Sequence, residues 1–169
     1  KSLVNGKDTL VGADIELAKA IGEKLGVKVE FSVMSFDNVL ANVQSGKADI
    51  AIAGISVTDE RKKVYDFSDS YYTSENVVIV KKDKVNDYTS TDSLAKQTVG
   101  TQKGSVQETV AKKQIPKASV VSLASNGEMI NELKSGQLQA VVLEKAIAEG
   151  YIAQNDDLTL ANFNLKSDG

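Results

Sequence analysis

The stretch AGISVTDERKK, residues 53–63, sets two hydroxyls, two carboxylates and an arginine within a few positions, directly after an apolar run. Two kinds of chemistry suit it. In the first, Thr58 caps a helix, Asp59 and Glu60 favour its positive end, Ser56 and Asp59 have capping-box spacing, and Arg61 is a solvated helix residue. In the second, the planar fork of Arg61 grips a carboxylate through two parallel hydrogen bonds, and Ser56 adds a hydroxyl and a backbone N–H. The segment TQKGSVQE, residues 101–108, offers a similar choice. Ser105 is either a plain N-cap, or Gly104, Ser105 and Val106 present unpaired N–H groups as an anion site. Its glycine spacing and the lack of a Lys-Ser or Lys-Thr pair exclude a nucleotide-binding P-loop. Glu144 ends an apolar run; it is either the first-turn acid of the next helix or a partner for an ammonium group. An arginine and helix N–H groups for a carboxylate, with an acid for an ammonium, form the complement of a zwitterion.

The rest of the composition narrows the chemistry. The chain has 169 residues, no histidine and no cysteine. Ser-His-Asp and Cys-His catalysis, imidazole or thiolate metal sites and disulfide frameworks are thereby excluded. A formal net charge of -3 with both signs interspersed leaves no basic stripe, so nucleic acid is not an expected partner. No run approaches the roughly 20 apolar residues of a membrane helix, and the first residues show no basic-then-apolar leader. Absence of cysteine suits an exported bacterial protein, although a cytosolic chain can also lack it. A small-molecule partner is expected, with no metal and no cofactor.

Those candidate residues need elements to hold them. Leu17, Ile21 and Leu25 recur every four residues from Asp14, a plausible N-cap, to Gly26, a stop signal, which predicts an amphipathic helix. The alternation in VKVEFSV, residues 27–33, predicts a half-buried strand. Phe36, Val39, Leu40 and Val43 predict a second helix ending before Gly46, and ADIAIAGI, residues 48–55, a buried strand. The second half repeats this grammar: a strand, glycine turn and helix from Val99, a strand in ASVVSL, a helix through Met129, Ile130 and Leu133 to Gly136, and a strand in LQAVVL. NVLANVQSGKADIAIAG, residues 38–54, overlays EMINELKSGQLQAVVLE, residues 128–144, with Ser45-Gly46 falling on Ser135-Gly136. Two α/β lobes of like topology with mostly parallel sheets are expected. Ligands bind outside the carboxyl ends of such strands, where both candidate clusters lie.

LVGADIELAKAIGEKLGVKVEF, the segment from SFDNVL to DFSDSYYTS, and VGTQKGSVQE together resemble the polar amino-acid-binding proteins of ABC transporters, with the type II periplasmic-binding-protein fold. The run AGISVTDERKKVYDFSDSYYTS carries most of the likeness. The resemblance implies two α/β lobes joined by a hinge and closing on an amino acid. It implies that Arg61 binds the ligand α-carboxylate, helped by Ser56 and by the Gly104, Ser105 and Val106 loop. The Gly54 carbonyl and Glu144 would take the α-ammonium; many members have Asp where this chain has Glu144. Phe36, with Val39 one turn on, would pack against the ligand side chain, and Gln102 would contact it from the second lobe.

The resemblance further implies lobe 1 over residues 1–80, lacking its usual first strand, and lobe 2 over 81–160. Residues 161–169 would approach a second crossover whose return to lobe 1 is absent. The expected function is an extracytoplasmic solute-binding protein, periplasmic or a cell-surface lipoprotein, that delivers a polar L-amino acid to an ABC permease and is not an enzyme. The alternatives are a cyclohexadienyl dehydratase-like enzyme and the sensing domain of a membrane receptor kinase. The inferred side-chain pocket carries no charge, and Lys103 is expected to face solvent. Glutamine, asparagine or a cationic amino acid is therefore favoured over aspartate and glutamate, whose second carboxylate would be buried unpaired.

Overall fold

The computed structural model describes residues 2–73 and 75–166. The chain opens on a hairpin, β1 (Ser2–Val4) and β2 (Lys7–Thr9), paired antiparallel. Asn5 and Gly6 both have positive φ, 50° and 76°. Asn-Gly tolerates that conformation, and its twist matches that of the strands it joins. The hairpin was legible in LVNGKD and is absent from the reading above.

Helices α1 (Ala13–Leu25) and α2 (Phe36–Gln44) form as the apolar spacing predicts, with Gly26 in the left-handed conformation as the α1 stop. Asp14 is not the N-cap. That position is Gly12, and Asp14 lies in the first turn, where Tyr71 Oη donates to its carboxylate at 3.3 Å. The predicted strands at 27–33 and 48–55 do not form: no ladder pairs either segment among the described residues. A strand exists only through its partner's N–H and C=O groups, and β1 and β2 pair only with each other. Val29 instead packs onto α1 at Gly22, where any side chain would collide with it. Val27, Val33 and Ile50 stay more than half exposed.

The second half holds the sheet. Strands β3 (Asn76–Lys81), β4 (Thr98–Gln102), β5 (Ser119–Leu123), β6 (Ala140–Glu144) and β7 (Leu158–Leu160) lie in the order β5-β4-β6-β3-β7. β4 runs parallel to β5 and β6, whereas β3 is antiparallel to both β6 and β7. The sheet is therefore mixed rather than mostly parallel, because β3 enters from the first half in the opposite direction. This also places β3, grouped with lobe 1 in the 1–80 expectation, in the sheet of the second half.

Alternation along the strands divides the core into two layers. Val78, Val80, Val99, Ala140 and Val142 face α4 (Val106–Gln114) through Val110 and Ala111. Val77, Ile79, Val141 and Leu143 face Met129, Ile130 and Leu133 of α5 (Asn126–Ser135) and Ala148 of α6 (Lys145–Gln154). Burying both faces explains why β3 and β6 read as continuous apolar runs. Gly136, at φ 85°, ends α5 as Gly46, at φ 78°, follows α2, so the repeat holds for helix and stop. It fails for the strand, since only the second copy is paired. Residues 167–169 of the expected crossover lie outside the described residues.

Candidate functional site

Thr58 caps a short helix, α3 (Asp59–Lys62), by accepting the Arg61 N–H at 3.1 Å. This cap turns Arg61 back toward the chain that precedes it. Arg61 Nη1 donates to the Ser56 carbonyl at 2.7 Å and Nη2 to the Gly104 carbonyl at 3.1 Å, while the guanidinium carbon lies 5.9 Å from the centre of the Phe36 ring. Partial burial pushes the pKa of the half-buried Arg61 down. Two bonds orient the fork and leave three of the five N–H donors of a guanidinium to spare, enough for a bidentate carboxylate. The two chemistries open for this segment coexist: Thr58 caps, and Arg61 is not a solvated surface residue.

Across from it, β4 ends at Gln102 and turns through Lys103 and Gly104 into α4. The Ser105 hydroxyl donates to the Gln102 carbonyl at 2.6 Å and accepts the Glu108 N–H at 3.3 Å, so Ser105 is a working N-cap. The Gly104 N–H does not remain unpaired as an anion donor; it is given to Glu108 Oε2 at 3.0 Å. Val106, first in α4, has no intrahelical acceptor for its N–H. Burial alone would raise the Glu108 pKa, but bonds from Lys112, the Gly104 backbone and Ser122 outweigh it and hold the carboxyl below its usual range.

Glu144 closes β6 and caps α6, accepting the Ala146 N–H at 3.2 Å. Its register partner on β3 is Asn76, 6% exposed, whose Oδ1 accepts from Gln107 Nε2 at 2.8 Å. Partial burial, then a hydrogen bond to Glu144, pushes the Tyr72 phenol up. The chain 104–107, Asn76 and Glu144 is therefore connected through Gln107 and the β3–β6 register, and it meets Arg61 at the Gly104 carbonyl. Gly54, at φ 58°, and half-buried Val39 make no hydrogen bond to Arg61 or Glu144 among the described residues. The Gln102 side chain likewise has none.

Sequence reasoning missed Asn76, Gln107, Tyr72 and Asp37. Their signal lay in register rather than spacing: Asn76 is a polar residue opening an apolar strand, and Gln107 follows the turn already singled out. Lys103 was expected in solvent; though 65% exposed, its Nζ lies 3.5 Å from Asp37 Oδ2. Among the described residues no group of His, Cys, Asp or Glu is arranged to hold a metal, and no helix is long and apolar enough to cross a membrane.

The α/β fold, with an arginine fork on a short helix set against the turn that follows β4 and an acid ending β6, is that of the type II periplasmic binding proteins. A sequence profile of that kind matches residues 2–162, and the chain belongs to the bacterial extracellular solute-binding proteins, family 3. It is 38% identical over 153 residues to the arginine-binding extracellular protein ArtP of Bacillus subtilis, covering 89% of this chain and 59% of that protein. It is 32% identical to a probable histidine-binding protein of Campylobacter jejuni, covering 95% of this chain and 61% of that one. The chain thus spans about three-fifths of these relatives. Among solved structures, an amino acid ABC transporter substrate-binding protein, AbpA of Streptococcus pneumoniae, bound to L-arginine, matches at 55% identity and a TM-score of 0.94, covering 98% of this chain and 70% of that one. An ancestral arginine-binding protein bound to glutamine matches at 42% identity and a TM-score of 0.88, covering 96% and 72%.

Proposed function

We propose that the protein carrying this chain captures a basic or amide L-amino acid, arginine foremost, between two lobes outside the cytoplasm. It then hands the ligand to an ABC permease. Lobe 1 comprises the residues before β3 and lobe 2 the five-stranded sheet with its helices. The observation that carries the reading is the position of Arg61, half-buried, oriented by the carbonyls of Ser56 and Gly104, and still holding spare donors. A ligand carboxylate completes that fork, with the Val106 N–H and the Ser56 backbone as further donors.

Glu144, with Tyr72 beside it, takes the ammonium; the Gly54 carbonyl assists from lobe 1. Phe36 and Val39 on one side and Gln102 on the other line the side-chain region. Lys103 is paired with Asp37, which leaves a ligand's side-chain carboxylate without a cation. Burying an unpaired charge costs several kcal/mol, which counts against acidic ligands; the choice of arginine, whose guanidinium has no acid of this chain assigned to it, rests on the relatives. The arginine bound in a neighbour sharing 55% of its residues supports this choice, as does the arginine-binding relative in Bacillus subtilis. The protein is a binder and not an enzyme, a reading supported by relatives that are binding proteins of transporters.

Binding shifts the balance between open and closed lobes, and the permease reads the closed form. Titration calorimetry of the full-length protein with the twenty amino acids tests the reading. Arginine should bind tightest, glutamine measurably, aspartate and glutamate least. Aspartate or glutamate as the tightest ligand would overturn the pocket, and failure of every amino acid to bind would overturn the function.

A further inference from the structure

The turn at Lys103 and Gly104 is held from lobe 1 at three places. Arg61 Nη2 bonds the Gly104 carbonyl at 3.1 Å. Lys103 Nζ pairs with Asp37 Oδ2 at 3.5 Å. A Cβ built on Gly104 would stand 3.2 Å from the Asp37 Cβ and 3.5 Å from its Cα. Backbone and side chain of α2 therefore lie directly on the turn, and glycine at 104 is what permits the approach. The Ser35 hydroxyl and then Lys103 lower the Asp37 pKa and so favour its charged form.

We propose that Asp37 and Lys103 form a cross-cleft clasp that stabilises the closed arrangement of the two lobes, with Asp37 as a positioning residue for the 103–104 turn. Neither residue is among those assigned above to the ligand. Arg61 holds the same turn through the Gly104 carbonyl, two residues before the Val106 N–H, so a turn displaced from Asp37 also loosens Arg61. The proposal rests on the two-lobe reading above. A pair so exposed on its lysine side contributes modestly, and salt screens it. Its effect falls on opening, hence on ligand release rather than capture.

Charge exchange in the full-length protein tests this, read by single-molecule energy transfer between dyes on Lys47→Cys and Lys117→Cys. These exposed positions follow the ends of α2 and α4 that lie away from the cleft. Asp37→Lys and Lys103→Asp should each lower the closed-to-open ratio about 2- to 5-fold, without ligand and at half-saturating arginine. Asp37→Asn and Lys103→Gln should act in the same direction, more weakly. The double exchange should return to within about twofold of wild type, and 1 M salt should erase the differences, the Debye length there being about 3 Å. Single variants that match wild type, or a double exchange no better than its two parts combined, would overturn the clasp. A wild type that closes for no amino acid would remove the proposed function, yet it leaves the charge-exchange result readable on the ligand-free ratio.

Discussion

Arg61 Nη2 donates to the carbonyl of Gly104 at 3.1 Å across 43 residues of chain, joining the end of α3 to the start of α4. Neither residue's own neighbours in sequence require this. The bond sets the guanidinium beside the Phe36 ring and against the turn that opens α4.

Replacing Arg61 with Ala should abolish amino-acid binding, since a desolvated carboxylate that loses its paired cation costs about 2 to 5 kcal/mol. Lysine should rescue poorly because an ammonium cannot bridge two carbonyls and a carboxylate in one plane. Calorimetry on the full-length protein decides it, and unchanged affinity for the Ala variant would sink the assignment.

Glu144→Gln should weaken amino acids far more than the matching deaminated acids, which carry no ammonium. Because Glu144 also caps α6, some stability will be lost, typically about 1 kcal/mol for a cap. Comparing both ligand types in one variant separates the effects; equal losses for both would mean that Glu144 only supports the helix.

Gly104→Ala should destabilise the turn by about 1 to 2 kcal/mol, because φ is 77° and the new methyl meets Asp37. Thermal unfolding should show that loss, and ligand release should accelerate. A variant with wild-type release rate would show that the turn does not need the close approach.

Acid should release the same turn. The folded pKa of Glu108 lies below its usual value. Its stabilising contribution is therefore complete above the unfolded value, about 4.3, and is lost as pH falls through the lower folded value. Affinity should be flat between neutral pH and about pH 5 and should decline below it, where Glu108→Gln should show a shallower fall. An equally steep fall in that variant would point to another carboxylate.

Much of this protein follows from local chemistry. The helices at 13–25, 36–44, 106–114 and 126–135 form where apolar spacing and their capping or stop residues say they should, because both act within one or two turns. The resemblance to the family rests on AGISVTDERKKVYDFSDSYYTS, of which the Thr58 cap is encoded locally. Tertiary structure decided everything that depends on a partner distant in sequence. The runs at 27–33 and 48–55 have strand composition yet no ladder, since no described segment offers them backbone groups, whereas β6 with similar composition is paired on both sides. The direction of β3, the closure of Asn76 against Gln107, and the meeting of Asp37 with Lys103 are likewise products of packing. Residues three or four apart meet by helix geometry alone; residues dozens apart meet only once a core has formed to bring them together.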